Sequence, residues 1–146
     1  FKKNFSAQVL KANMRIVGNS EYAIIFYRDK LPKFRNNGKM IFNCMDWPRD
    51  NESEKIHPTQ KPVELLKNLI EIFTDEGDVV IDPCAGSGST LIAAERMNRK
   101  GYGFEIKKEF WMKANQWLES EKQSKKDLNE FGFDKSKIEK LHPTLF

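Results

Sequence analysis

The chain has 146 residues, of which 39% are hydrophobic, and this is enough for one domain with a buried core. No apolar run approaches the ~18 residues of a membrane-spanning helix, and we expect no signal peptide. The two cysteines, Cys44 and Cys84, do not make a disulfide framework, and the two histidines lack zinc-ligand spacing. We therefore predict a reducing, cytoplasmic location without a metal. Because the sequence starts with Phe1, we expect it to be part of a longer reading frame or a trimmed chain.

The net charge of +4 is unevenly distributed. Residues 1–45 hold 9 Lys and Arg against 2 Asp and Glu, a net +7, so the remainder carries −3. Lysines and arginines neutralise phosphates and aromatic rings stack on bases, so this segment, with Phe34, Phe42 and the nearby Trp47, is suited to nucleic acid. A solvated basic face is the alternative that composition alone favours. The candidates for phosphate contact are Lys33, Arg35 and Lys39.

The N-terminal third predicts two strands and a long connection. Residues 14–17 indicate a short strand, and a Gly-Asn-Ser turn separates it from the apolar, β-rich run 22–27, which we predict to be a well-buried strand. From Leu31 to Lys55 the apolar residues occur only in small groups among Pro, Asn, Gly and charged residues. We predict an irregular connection there, and loops of that length are usually functional or mobile.

The rest of the chain alternates helices and strands. Pro62 suits the first turn of a helix that ends before residues 75–78, and its apolar residues at helical spacing are Val63, Leu66, Leu69, Ile70 and Phe73. A strand from Val79, a helix from about Ser89, a strand from Tyr102 and a helix over 108–120 follow. The last helix carries the apolar stripe Phe110, Ala114, Trp117 and Leu118. This alternation predicts a parallel sheet, followed by a charged helical tail.

The most informative segment is the strand, glycine loop and helix start over residues 79–90. This arrangement lets a ligand approach the backbone at a helix N-terminus. A second short strand ends in Glu105, 19 positions after Gly86, close to the ~20-residue spacing of a carboxylate that binds ribose hydroxyls. A nucleoside-containing cofactor is therefore the leading hypothesis.

The loop itself discriminates among such cofactors. A Walker phosphate loop requires a lysine before its Ser/Thr, and here Ser89 follows Gly88 directly. A dinucleotide fingerprint requires a third glycine, and Leu91 occupies that position, which weakens the pyrophosphate reading. A ligand that has a ribose but no phosphate fits better. S-adenosylmethionine offers an adenosine for Glu105 and an amino-acid end for the loop.

Three segments, in this order over roughly residues 57–118, resemble the N6-adenine and N4-cytosine DNA methyltransferases. The loop Asp82–Thr90 is similar to the family's Asp-Pro-Phe-x-Gly-Ser-Gly-Thr-Thr cofactor motif. The sequence His-Pro-Thr-Gln-Lys-Pro at 57–62, with the helix after it, resembles a second cofactor motif, and residues 103–106 resemble the acidic-strand segment. The order resembles the permuted, beta-class type, in which the catalytic half comes first.

The resemblance implies an α/β, Rossmann-like methyltransferase fold that is partial, with some sheet strands missing. It implies S-adenosylmethionine as cofactor and double-stranded DNA as partner, in a bacterial or phage-encoded context. The glycines would let the backbone approach the methionine moiety, Glu105 would bind the ribose and Ile106 would pack on the adenine. Thr59 and Lys61 would help to hold the carboxylate. The remaining implied cofactor-binding residues lie in the loop: Asp82, Pro83, Cys84, Ala85, Gly86, Ser87 and Gly88.

The family's catalytic motif, Asp-Pro-Pro-Tyr or Ser-Pro-Pro-Tyr, is absent from the sequence, whose six prolines are all isolated. In the permuted order the motif belongs upstream of Phe1. We therefore expect residues 1–56 to be the end of the catalytic half with a short target-recognition segment. Residues 57–120 would be the cofactor-binding region and 121–146 the charged tail.

The resulting hypothesis is a DNA amino-methyltransferase fragment, with adenine favoured over cytosine and the isolated chain inactive. Two alternatives come from other classes of protein. One is a non-catalytic module that binds S-adenosylmethionine or DNA beside a partner chain, and the other is an NAD-dependent oxidoreductase.

Overall fold

The computed structural model describes residues 1–3, 8–11, 16–29, 40–47, 49–51 and 53–130. The three candidate phosphate-contact residues, Lys33, Arg35 and Lys39, lie outside these ranges. Among the described residues, no helix is both long and apolar enough to cross a membrane.

Six strands and three helices are formed by the described residues. The strands are β1 (Lys2–Lys3), β2 (Gln8–Lys11), β3 (Ile16–Gly18), β4 (Asp46–Trp47), β5 (Val79–Asp82) and β6 (Lys100–Gly103). The helices are α1 (Val63–Phe73), α2 (Ser89–Arg96) and α3 (Lys108–Glu130). β1 pairs with β4 in parallel, β2 with β3 antiparallel and β5 with β6 in parallel, in three separate two-stranded sheets.

The β5–α2–β6 unit confirms the predicted alternation of strands and helices. Its register runs from Val79 opposite Lys100 to Asp82 opposite Gly103. The two glycines of β6 let α2 lie close to the strand, because a Cβ at Gly101 would be 3.3 Å from the Leu91 Cα atom. A Cβ at Gly103 would lie 2.9 Å from Leu91 Cδ1. The two glycines therefore let the first turns of α2 pack closely against β6.

α2 is the centre of the core and packs against both other helices. Its Ile92, Ala93 and Ala94 are fully buried and meet Val63 and Ile70 of α1. Burial of side chains of this size stabilises the fold by roughly 1.5–3 kcal/mol for each large aliphatic residue. The partly buried side chains that complete the cluster are Leu66, Val80, Met97, Trp117 and Leu118.

Charged contacts fasten α3 to α2. Arg96 at the end of α2 pairs with Glu121, and the Lys125 ammonium lies 2.7 Å from Asn98 Oδ1 and 3.3 Å from Glu95 Oε1. These contacts lie beyond Ser120, in the segment that the sequence predicted to be a charged helical tail. α3 continues to Glu130 because no glycine or proline interrupts residues 108–130 and the Glu119–Lys122 pair supports the helix across one turn.

The prediction of a well-buried strand at residues 22–27 is wrong. The segment belongs to no strand, and Tyr22 and Phe26 are 91% and 87% exposed. A single apolar run becomes a buried strand only where another element pairs with it and covers it. No described element does so here.

One face of the β5–β6 sheet is also uncovered. Val79 and Ile81 of β5 and Tyr102 of β6 are more than half exposed, as is Phe104 just beyond it. Their strand neighbours point to the opposite face, toward α2, as alternation in a strand requires. The described layers are therefore helices on one side of a two-stranded parallel sheet.

Candidate cofactor site

A cavity of about 320 Å³ lies at the carboxyl end of β5, where the glycine loop leads into α2. Ligands of open α/β sheets bind at this end of the strands. The walls come from three separate stretches of the chain, the 57–61 segment, the loop and Glu105. The lining residues are His57, Thr59, Gln60, Lys61, Asp82, Cys84, Ala85, Gly86, Ser87, Ser89, Thr90 and Glu105.

The loop owes its shape to two glycines with positive φ and to short internal hydrogen bonds. Gly86 has φ +54° and Gly88 φ +82°, in the left-handed region that a Cβ disfavours. Asp82 Oδ1 accepts the Cys84 N–H at 3.0 Å, and the Ala85 carbonyl accepts the Gly88 N–H at 2.8 Å. The acid at the strand end thus caps the turn and also faces the cavity.

Glu105 joins the loop to the end of β6. Its Oε2 accepts the Gly86 N–H at 2.9 Å and its Oε1 accepts the Lys107 N–H at 2.8 Å. The Lys107 N–H, followed by the Gly86 N–H and the nearby His57, holds the pKa of this carboxyl below its ordinary value despite partial burial. A carboxylate has about four lone-pair positions, so two remain for further donors, such as a ribose diol.

The 57–61 segment is fixed by Gln60, a residue to which sequence reasoning assigned no role. Its Oε1 accepts the Ile56 N–H at 2.9 Å, while its amide nitrogen donates to the Glu54 carbonyl at 3.0 Å. His57 Nδ1 accepts the Thr59 N–H at 3.2 Å and lies 3.0 Å from Thr59 Oγ1. The sequence offered one signal for this role of Gln60: its side chain is an amide, and it lies in a short segment bounded by two prolines.

His57 brings this segment against the loop and α3. Its ring packs edge-on against Phe110 with the centroids 4.4 Å apart. A Cβ at Gly86 would lie 3.8 Å from the same ring. The two sequence segments that resemble cofactor motifs therefore lie side by side in the wall of the cavity, with room for no large side chain at residue 86.

Lys61 is held from outside the cavity by Glu21. Its ammonium lies 2.6 Å from Glu21 Oε2 and 4.8 Å from the centre of the Trp47 ring. Lys3 pairs with the other Glu21 oxygen, and its ammonium lies 4.7 Å from the centre of the same Trp47 ring. Burial alone would raise the pKa of Glu21, but the hydrogen bonds from Lys3 and Lys61 lower it. The 40-residue separation between Glu21 and Lys61 gave no sequence signal for this pair.

The structure brings most of the predicted cofactor residues together. Thr59, Lys61 and Glu105 line the cavity, and so do Asp82, Cys84, Ala85, Gly86 and Ser87. Pro83, Gly88 and Ile106 are absent from the lining. Gly88 is buried against Ala114, and Ile106 is 98% exposed immediately after Glu105. Ser89 and Thr90, at the start of α2, also line it and were not predicted.

A protein-family profile identifies the family to which this chain belongs. The N6/N4 methyltransferase profile, described as DNA methylase, matches residues 3–116. The chain belongs to this DNA methylase family. The resemblance to the N6-adenine and N4-cytosine DNA methyltransferases is thereby confirmed, and the match includes every residue that lines the cavity.

Curated relatives are DNA methyltransferases of greater length. Type II methyltransferase M2.DpnII of Streptococcus pneumoniae is 36% identical over 109 residues, which is 73% of this chain and 41% of that protein. DNA adenine methyltransferase YhdJ of Escherichia coli (strain K12) is 40% identical over 94 residues, 62% of this chain and 32% of that protein. The chain thus spans less than half the length of these relatives.

The crystal structure of the M1.HpyAVI–SAM complex has the same fold over most of the chain. The TM-score is 0.66 at 26% identity, with 80% of this chain and 58% of that chain covered. The predicted α/β, Rossmann-like methyltransferase fold, present here in part, is confirmed.

Proposed function

We propose that this chain supplies the S-adenosylmethionine-binding part of a DNA methyltransferase that modifies the exocyclic amino group of adenine (N6) or cytosine (N4). The observation that carries the proposal is the hydrogen bond that the Gly86 N–H donates to Glu105 Oε2 in the wall of the cavity, between residues 19 positions apart. The structural neighbour solved with SAM supports the choice of cofactor.

The residues of the cavity suit this cofactor. The volume lies at the lower end of the 300–1,000 Å³ range of small-molecule sites. Glu105 offers acceptors to a ribose diol, and the absence of a Cβ at Gly86 leaves the backbone open beside the His57 ring. Thr59 and Lys61 provide a hydroxyl and a cation for a carboxylate. The bound cofactor supplies an electrophilic sulfonium methyl group, and the chain's residues bind and orient it.

Alignment of the methyl donor is the contribution that these residues make to catalysis. Positioning two reactants in one site accounts for a large part of the rate acceleration in such reactions. The residues that hold a flipped target base, the Pro-Pro-Tyr segment of the family, are absent from the sequence. We therefore propose that a catalytic half, in the permuted order or on a partner chain, supplies the base pocket, and that duplex DNA is the substrate.

Adenine is the favoured target. The relative YhdJ, 40% identical over 94 residues, is named a DNA adenine methyltransferase. Digestion of methylated DNA to nucleosides, followed by mass spectrometry, separates N6-methyladenine from N4-methylcytosine once the catalytic half is supplied. Methylcytosine as the product would contradict this part of the proposal.

Calorimetry with S-adenosylmethionine and, separately, with NAD tests the cofactor assignment. We expect binding of S-adenosylmethionine only, and a Glu105→Gln variant to bind it about 10- to 100-fold more weakly, since hydrogen bonds to a charged acceptor are lost. Glu119→Gln is the matched control, because Glu119 is exposed on α3 and pairs only with Lys122 among the described residues. Binding of NAD alone would favour an oxidoreductase and contradict the proposal.

The isolated chain is expected to transfer no methyl group to duplex DNA. Incubation of the purified chain with methyl-tritiated S-adenosylmethionine and unmethylated duplex measures this directly. The positive control is the same mixture with a full-length methyltransferase of the family. Incorporation of label by the 146-residue chain alone would show that it carries its own base pocket.

A further inference from the structure

A second cavity, of about 660 Å³, adjoins the cofactor site. Thr59, Gln60 and Lys61 line both cavities, so the 59–61 segment is the wall between them. The other lining residues are Lys3 of β1, Glu21, Trp47 of β4, Arg49, Asp50, Asn51, Ser53, Lys55, Pro58 and Pro62. Any ligand in it lies directly beside a cofactor in the first.

The second cavity is predominantly cationic. Its charged lining residues are Lys3, Arg49, Lys55 and Lys61, with Glu21 and Asp50 as the two acids. Glu21 bonds to both Lys3 and Lys61, so this triad keeps one positive charge in excess. Lys55 is exposed, and its ammonium makes no ion pair with any residue that the structure describes.

The aromatic residue of the cavity is not available for stacking. Trp47 is 5% exposed, and the ammoniums of Lys3 and Lys61 lie 4.7 and 4.8 Å from the centre of its ring. The ring therefore positions cations by cation–π contact rather than presenting a face to a base. The cavity therefore presents several cations to an anionic ligand, but it has no exposed aromatic face on which a nucleobase could stack.

We infer that this second cavity binds the phosphate backbone of duplex DNA, next to the nucleotide that is to be methylated. The inference rests on the proposed function, which places the methyl donor on the other side of the 59–61 wall. Lys61 is shared by both cavities, whereas Lys55 belongs to the second alone. Phosphate contacts of this kind position a strand without reading its sequence.

The experiment measures the salt dependence of binding to a short unmethylated duplex by fluorescence anisotropy, using the full 146-residue chain. Each neutralised phosphate contributes about −0.9 to the slope of log K against log salt. Lys55→Gln is expected to make this slope shallower by about 0.9. If the two proteins bind equally at about 1 M salt, that change in slope weakens binding by the variant roughly eightfold at about 0.1 M salt. Its affinity for S-adenosylmethionine, measured by calorimetry, is expected to stay unchanged.

Lys126→Gln is the control, since Lys126 is an exposed lysine on α3 outside both cavities. It removes the same charge and is expected to leave the slope as in the wild type. Equal slopes for all three proteins, or no duplex binding by the wild type, would overturn the inference. So would Lys55-dependent binding of inorganic phosphate without a Lys55 effect on DNA. None of these results affects the cofactor proposal, which depends on calorimetry with S-adenosylmethionine.

Discussion

Gly88→Ala is the substitution whose effect can be worked out most directly from the structure. Gly88 has φ +82° and its carbonyl accepts the N–H groups of Leu91 and Ile92, so it sets the start of α2. A Cβ there would lie 3.0 Å from the Ala114 Cβ in α3. The variant therefore imposes both an unfavourable backbone conformation and a close contact between two helices.

The two costs can be separated with a second glycine. A left-handed conformation costs an alanine about 1–2 kcal/mol, and overpacking a close contact costs roughly 1–3 kcal/mol more. Gly77 has nearly the same φ, +84°, but a Cβ there would meet no atom within 4 Å. Gly77→Ala therefore pays the first cost only, and the effect of alanine on the unfolded chain is common to both variants. Gly88→Ala should be less stable than Gly77→Ala by roughly 1–3 kcal/mol.

Urea unfolding followed by far-ultraviolet circular dichroism measures the difference. With a slope of about 2 kcal/mol per molar urea, the midpoint of Gly88→Ala should lie around 0.5–1.5 M below that of Gly77→Ala. Equal midpoints for the two variants would refute the packing argument, because they share the backbone cost. If both variants had the urea midpoint of the wild type, the argument that alanine is unfavourable in the left-handed conformation would be refuted as well.

Two further predictions concern Arg99 and Glu105. Arg99→Ala should lower the free energy of unfolding by about 2–3 kcal/mol in urea, because the buried guanidinium donates to the Thr74 carbonyl at 2.8 Å. Arg96→Ala, which removes an exposed ion pair, should cost at most about 1 kcal/mol, and equal losses would contradict the assignment. The lowered pKa of Glu105 stabilises the fold above the ordinary value of 4.5, and that contribution disappears as the pH falls through the lower folded value. The difference in urea midpoint between wild type and Glu105→Gln should therefore narrow as the pH falls below 4.5, and a difference that widens with acid would contradict the sign.

The strand, loop and second helix of the cofactor site could be predicted because their signals are local. Gly86 and Gly88 mark a turn that other residues disfavour, and apolar spacing then identifies the helix. The start of β6 was placed two residues late, since Lys100 and Gly101 carry no strand propensity and are recruited by pairing with β5. Glycine at 101 and 103 serves the approach of α2, which only the packed structure reveals.

The features that sequence reasoning missed depend on distant partners. Tyr22 and Phe26 have the composition of a buried strand, yet burial requires a covering element, and none of the described ones lies over them. The clamp of Glu21 on Lys61 joins residues 40 positions apart. Whether Thr59 and Lys61 hold the cofactor stays a prediction, as do the three proposed segment boundaries.

The parallel register of β5 and β6 has a consequence for how the chain tolerates insertions and deletions. Along β5, Val80 and Asp82 face the helices and the cavity, while Val79 and Ile81 face outward. Deleting one residue inside this strand would exchange the two faces, since side chains alternate with a period of two. If the start of the strand keeps its pairing with β6, Asp82 would move to the outward-facing position of Ile81 and Pro83 would take its place. Deleting one residue in the turn over 75–78 leaves that alternation intact. We therefore expect the chain to tolerate a one-residue deletion in the turn but not in β5.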